Sequence, residues 1–206
     1  MTRAYQATLF DDDETLTSAV DIAAFENATE HRLDEQSWIT HVPGFLTGHM
    51  RLVDELATLD VWEQRQRWMY DRMVDEPRLT GEYADLTAAP ALLAGLAATL
   101  GERLGVPYDR IWMNWYRDHH DGTGWHADRP ANQVPTAIVP VLSLGPPRRF
   151  LLRPIGGGPS TVFTPAGGDL IIMQGRCQRD WQHCVPKQKT PAGARISLNF
   201  SSVTQS

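Results

Sequence analysis

The stretch Arg195-Ile-Ser-Leu-Asn-Phe200 decides how this chain folds. Polar and apolar residues alternate along it, and successive side chains of an extended strand point to opposite faces. Arg195, Ser197 and Asn199 therefore share one face, with Ile196, Leu198 and Phe200 on the other. Upstream the same texture continues. From Ile111 on, short strands punctuated by Gly and Pro are predicted over 111–116, 136–144, 148–153, 160–163, 168–174 and 194–201. Strands this closely spaced after a helical half predict a jelly roll, a small barrel of two facing sheets. Gly156-Gly-Gly158 reads as a hairpin turn, since it lacks the strand and helix that flank a phosphate loop.

The helical half is less regular. Phe45, Leu46, Met50, Val53, Leu56 and Leu59 recur at helical spacing and predict a helix over 46–58. Leu92, Leu93, Leu96 and Leu100 predict a second over 90–104, with Pro90 in its first turn and Gly105 at its exit. Both read as buttresses of the barrel. The segment between them, through Arg72, Pro77, Arg78 and Tyr83, looks irregular or hairpin-like. The fold class is α+β with a mainly β core: a jelly roll buttressed by N-terminal helices.

At 206 residues the chain suits one domain with a substantial core. No apolar run approaches the ~20 residues that span a bilayer, and no basic-then-apolar signal opens the sequence, so a cytoplasmic protein without membrane contact is expected. Cys177 and Cys184 form no C-x-x-C pair, and a reducing compartment fits them. The net charge of −6 is unevenly spread. Residues 1–35 hold nine acids against two arginines, or −7, and the remainder is +1. An acidic, flexible leader over 1–35 and a single domain over 36–206 are expected. The neutral body permits phosphate binding without requiring it. Within the leader, Gln6, Leu9 and Phe10 resemble the Gln-x-x-Leu-Phe segment with which bacterial proteins dock into the replication sliding clamp. Leu9 and Phe10 are apolar anchors in a polar tail; the bland alternative is that they tuck against the domain.

The chemistry lies in His126-Ala-Asp128 and in His183, 57 residues later. Two imidazoles and a carboxylate can occupy one face of an octahedral iron(II) ion, leaving the opposite positions open. An H-x-D pair alone is weak evidence. Arg195, 12 residues after His183, strengthens it, because an arginine on a barrel-lining strand beside such a site can grip a dicarboxylate end-on.

The chain resembles the AlkB family of iron(II)- and 2-oxoglutarate-dependent dioxygenases from about Trp62 to Phe200. The likeness is weak through Tyr70 and Pro77-Arg-Leu79. It is strong over Asn114-Trp-Tyr116, Gly124-Trp-His126-Ala-Asp128, Ser143-Leu-Gly145, Arg149-Phe150, Gly168-Asp169, Trp181-Gln-His183 and Arg195 to Phe200. The resemblance implies a double-stranded β-helix, a form of jelly roll. It also implies metal ligation by His126, Asp128 and His183, with Arg195 on the distal carboxylate of 2-oxoglutarate and Asn114 and Tyr116 hydrogen-bonding that co-substrate. Three departures stand out. A second arginine, six residues after the first, is Ser201 here, and Arg153 is a candidate replacement. An acid two residues after the ligand aspartate is Pro130. A serine found in some members before the Ser-Leu-Gly segment is Val141.

The activity implied is oxidative dealkylation of damaged nucleobases in DNA, using Fe(II), 2-oxoglutarate and O2. The co-substrate becomes succinate and carbon dioxide, and a hydroxylated N-alkyl group leaves as an aldehyde. The target base must leave its stack, at about a few kcal/mol, and be held between aromatic faces. Tyr83, Trp125 and Trp181 are the candidates for that role. Arg148, Arg149, Arg176, Arg179, Lys187 and Lys189 could contact phosphate. Transfer RNA or protein as substrate, and a non-catalytic 2-oxoglutarate sensor motivated by Ser201, remain alternatives. A cupin-like metal enzyme would not explain Arg195.

Overall fold

A computed structural model describes residues 17–69 and 71–202. From Arg110 on, the chain passes back and forth between two sheets. Arg110–Tyr116, Ala137–Leu144, Leu170–Gly175 and Arg195–Ser201 belong to the larger one. Thr123–His126, Phe150–Pro154, Thr161–Phe163 and Trp181–Val185 belong to the smaller. Their pairings are antiparallel throughout, and this alternation is the path of a jelly roll. The expected double-stranded β-helix is therefore the fold.

Ala137–Leu144 sits at the centre of the larger sheet, which explains its nearly unbroken apolar sequence. Val139 and Val141 face the barrel interior, while Leu142 and Leu144 join a second core on the helix side. The ladder to Arg195–Ser201 starts at Val141, one residue after Pro140, which has no N–H to donate. Ile196, Leu198 and Phe200 pack outward, as their alternation required.

Helix α1 (His49–Ala57) and helix α2 (Ala91–Leu104) cover that outer face. Leu52, Val53 and Leu56 of the first, and Leu93, Leu96 and Leu100 of the second, are buried against it. Each fully buried leucine contributes about 1.5–3 kcal/mol. Helix α1 starts three residues later than its periodicity predicts, because Leu46–Thr47 pairs with Ala19–Val20. Helix α2 ends where expected: Gly105, at φ +70°, donates its N–H to the Gly101 carbonyl at 2.9 Å.

The expected boundary at residue 36 falls inside the domain. Thr29–Arg32 pairs with Ser37–Val42 at the edge of the larger sheet, and the short turn Ile22–Asn27 buries Ala24 and sets Phe25 edge-on to Phe45. Two acids of this stretch have side-chain partners: Glu30 pairs with Arg32, and Asp34 accepts a hydrogen bond from Trp181. Their charge marks the solvent side of an edge strand, a common protection against edge pairing. Gln6, Leu9 and Phe10 lie outside the described residues.

Between the helices, Gln66–Met69 and Arg72–Asp75 form a hairpin, and Leu79–Tyr83 extends the larger sheet beside Arg110–Tyr116. The strands Ser37–Val42, Thr123–His126 and Trp181–Val185 had no counterpart in the sequence reading. Among the described residues, no helix is long and apolar enough to cross a membrane.

Candidate active site

Two neighbouring strands of the smaller sheet bring the histidines together. His126 and His183 are directly opposed in register, with ring centroids 4.3 Å apart. Asp128 follows two residues after the end of its strand, and its Oδ1 lies 3.6 Å from His126 Nε2 and 3.5 Å from His183 Nε2. The three ligand atoms fall within 4.8 Å of one another, the spacing a single ion requires.

The surrounding groups fix the orientation of these ligands. The Gly124 carbonyl, 2.8 Å from His126 Nδ1, requires the ring to donate there, which leaves Nε2 with its lone pair. Gln178 holds Asp128 twice. Its Nε2 donates to Oδ2 at 2.9 Å, and its Oε1 accepts from the Asp128 backbone N–H at 2.8 Å. Oδ1 is thus turned toward the imidazoles. Burial, reinforced by the neighbouring His183, pushes the His126 pKa down to about 4, so this ring is neutral at ordinary pH. Burial alone would raise Asp128, but His183, His126 and Gln178 outweigh it and hold the carboxyl down at about 2. The site therefore offers a neutral imidazole and a carboxylate, the forms that bind metal.

Across the barrel, the inner face of the larger sheet supplies the second half of the site. Arg195 is opposed by Tyr116, and Ser197 by Asn114. Arg195 is only 2% exposed. Its Nη2 donates to Ser143 Oγ at 2.9 Å, and its Cζ lies over the Tyr116 ring at 5.3 Å. Nε and Nη1 are buried without a hydrogen-bond partner. Burial lowers the Arg195 pKa, so an anion delivered to these two donors would offset a real desolvation cost. A narrow cavity connects Arg195, Tyr116 and Asn114 to His126 and His183, with Phe150 and Val141 in its wall. A carboxylate at one end and a metal chelate at the other fit these residues.

Gly145 sets where the Arg195 strand begins. It has φ +88°, and a Cβ there would stand 2.5 Å from the Ala194 carbonyl oxygen. Ser143, two residues earlier, thereby keeps its place beside the guanidinium.

The three aromatic residues expected to sandwich a base do not line this cavity. Tyr83 is opposed by Ile111 and packs on the helix side of the sheet. Trp181 is buried in the barrel core, its indole N–H donating to Asp34 at 2.7 Å. Trp125 alternates with His126, faces away from the ligands, and is covered by the Arg153 guanidinium at 4.0 Å. That contact also places Arg153 on the outer face, where it cannot replace the arginine missing at Ser201. Arg148 is buried as well. It donates to the carbonyls of Asp118, Asp121 and Pro186, so it ties loops together instead of meeting phosphate. Arg149, Arg179, Lys187 and Lys189 are exposed, and Arg176 pairs with Asp180.

The structure adds residues that the sequence reading passed over. A larger cleft reaches His126 and Asp128 from the surface, lined by Arg65, Arg78, Trp112, Asn114, Asn199 and Ser201, among others. Trp112 shares the inward phase of Asn114 and Tyr116, a signal that was present in the alternation. Arg65 stacks on it at 4.4 Å. Gln178, in the single helical turn Cys177–Asp180, carried no periodic signal.

This fold, with two histidines, an aspartate and the buried Arg195 guanidinium inside one barrel, defines a class. The chain belongs to the 2OG-Fe(II) oxygenase superfamily, whose family model matches residues 26–200, and within it to the AlkB type. It is 32% identical to the rat alpha-ketoglutarate-dependent dioxygenase alkB homolog 3 over 163 residues, covering 69% of this chain and 55% of that protein. Against the human alkB homolog 3 the figures are 31% over 173 residues, with 74% and 60% covered. The DNA oxidative demethylase ALKBH2 of Arabidopsis thaliana is 30% identical over 119 residues, 47% of this chain and 38% of that protein. The chain thus spans little more than half the length of the alkB homolog 3 relatives. Among solved structures, OsALKBH1 superposes with a TM-score of 0.60 at 13% identity, covering 84% of this chain and all of that one. An oxidoreductase of the 2OG-Fe(II) oxygenase family from Burkholderia pseudomallei gives 0.53 at 19%, with 79% and 84% covered. Both likenesses speak for the fold.

Proposed function

We propose that the chain is an Fe(II)- and 2-oxoglutarate-dependent dioxygenase that removes alkyl groups from nucleobases, with DNA as its substrate. One observation carries the reading: Asp128 Oδ1 faces both imidazole Nε2 atoms at one end of a cavity whose other end holds the unpartnered donors of Arg195. The names of the relatives support the substrate class, and the ALKBH2 name supports DNA.

Iron and 2-oxoglutarate, when bound, supply the oxygen activation, with oxidation of the co-substrate to succinate and carbon dioxide. The protein's own work is positioning and exclusion of water. His126, Asp128 and His183 would hold the metal. Gln178 and the Gly124 carbonyl stop two of these ligands from rotating. Arg195, steadied by Ser143 and Tyr116, seats the distal carboxylate, and Asn114 meets the co-substrate nearer the metal. Phe150 and Val141 keep water from that channel. Trp112, in the lining of the open cleft that reaches His126 and Asp128, offers aromatic surface for an extruded base.

Mass spectrometry of methylated single-stranded DNA, incubated with the protein, Fe(II), ascorbate and 2-oxoglutarate, tests the reading. Loss of one methyl per lesion is expected, and His126→Ala should stop it. Turnover confined to RNA or peptide arms would move the substrate; no turnover on any of these arms, despite verified metal binding, would favour a sensor. Docking to the replication clamp through Gln6, Leu9 and Phe10 belongs to the same proposal. Leu9→Ala combined with Phe10→Ala should abolish clamp binding, and unchanged binding would dismiss this segment.

A further inference from the structure

Ser201 continues the inward row of Arg195, Ser197 and Asn199, and it lines the same cleft as His126 and Asp128. Beyond Arg195, this row carries no charge. A diacid laid along it needs a second favourable contact about one strand repeat away. Residues two apart on a strand are separated by roughly 7 Å, while the carboxyl carbons of a five-carbon diacid stand roughly 5 Å apart. With one end on Arg195 and Tyr116, the other end therefore falls beside Asn114, which is opposed by Ser197.

Arg78 reaches that place from a neighbouring strand's entry. Its Nε donates to Asn114 Oδ1 at 2.8 Å, and its Nη2 lies 3.0 Å from Glu76 Oε2. Its side chain is only 13% exposed, and Nη1 has no partner among the described residues. The other arginines nearby are committed elsewhere or lie farther out. Arg65 stacks on Trp112, Arg110 donates to Glu82, and Arg129 is exposed on the cleft's outer rim. We infer that Arg78, oriented by Asn114 and Glu76, is the positioning cation for the metal-side carboxylate of the co-substrate, in place of a charge at Ser201. The inference rests on the 2-oxoglutarate reading of the cavity. The hydrogen bond also accounts for Asn114: with its oxygen occupied by Arg78, its Nδ2 is turned toward Ser197 and the cavity.

The test uses the full chain loaded with Mn(II), which binds without turnover, and titrates 2-oxoglutarate by calorimetry. Arg78→Met should raise Kd about tenfold or more, with Mn(II) affinity unchanged, and Arg78→Lys should fall between. Adding Ser201→Arg to Arg78→Met should recover most of the loss, which a merely structural role for Arg78 would not allow. A monoacid probe, 2-oxobutyrate, should keep its dependence on Arg78 and lose its dependence on Arg195. If Arg78→Met leaves the 2-oxoglutarate Kd within twofold while Arg195→Met abolishes binding, the inference is overturned; a fall in DNA affinity alone would then assign Arg78 to phosphate. If Arg195→Met also changes nothing, the co-substrate reading itself fails.

Discussion

Gln178 lines neither the cavity nor the cleft, yet it decides which way Asp128 points. It closes a two-bond ring with Asp128, and a nonpolar replacement would let that carboxylate turn toward solvent. Partners of this kind typically contribute 10–100-fold to metal affinity. Gln178→Leu is therefore expected to weaken Mn(II) binding by about that factor while the circular dichroism stays unchanged. His126 gives a second prediction at this scale. Its folded pKa, about 4, lies below the ordinary value of 6.5, because burial and His183 disfavour the cation. Below pH 6.5 the unfolded chain takes up a proton that the folded chain refuses, so stability falls as pH drops from 6.5 toward 4. Asp128 acts in the same sense at lower pH: its contribution is present above 3.8 and is lost as pH falls through about 2. Calorimetry of the metal-free protein should show Tm declining over the upper window, with a shallower slope in His126→Asn. Equal slopes would show that this imidazole is not held neutral by the fold.

Among elements, the ones legible in the sequence were those whose whole length obeys one period. Arg195–Ser201 alternates cleanly, and helix α2 keeps its leucine stripe to Gly105. The two jelly-roll strands with no counterpart in the sequence pattern, Thr123–His126 and Trp181–Val185, are the ones that carry His126 and His183. Each has a histidine at an inward position where a structural strand would bear valine, which weakens the pattern that would have revealed it. The convergence of His126, Asp128 and His183 was legible from chemistry and spacing, and the inward placement of Arg195 from its phase. The base-stacking aromatics were misassigned because adjacency in sequence to a ligand places a strand residue on the opposite face, as Trp125 and His126 show. Gly145 carries the element-scale prediction. Gly145→Ala would drive a methyl into the Ala194 carbonyl at a φ that alanine rarely adopts. A loss of more than about 1 kcal/mol is expected in urea unfolding, with weakened 2-oxoglutarate binding because Ser143 and Arg195 lose their register. An unperturbed variant would mean that the loop can move away from the Ala194 carbonyl at little cost.

For the whole molecule, the two sheets divide the work. The smaller one carries His126 and His183, the larger one Asn114, Tyr116 and Arg195, and the helices bury the outer side of the larger sheet. Binding both ligands should link the two halves thermodynamically. At 100-fold excess over Kd, a ligand selective for the folded state adds about 2.7 kcal/mol. Mn(II) with 2-oxoglutarate should thus raise Tm by several degrees, and Arg195→Met should remove the increment due to the diacid while sparing that due to the metal. Identical shifts in both proteins would place the diacid elsewhere.

The strand that carries His126 is four residues long and lies at the open margin of its sheet, with a register irregularity between it and its single neighbour. Few hydrogen bonds tether it, so without a bound ion this margin of the barrel is ready to peel away. An ion gripping His126 and Asp128 on this arm and His183 on the next would fasten the margin shut. Amide protons of residues 123–126 should then exchange rapidly in chelator-treated protein and slow sharply when metal is restored, while those of Ala137–Leu144 stay slow in both.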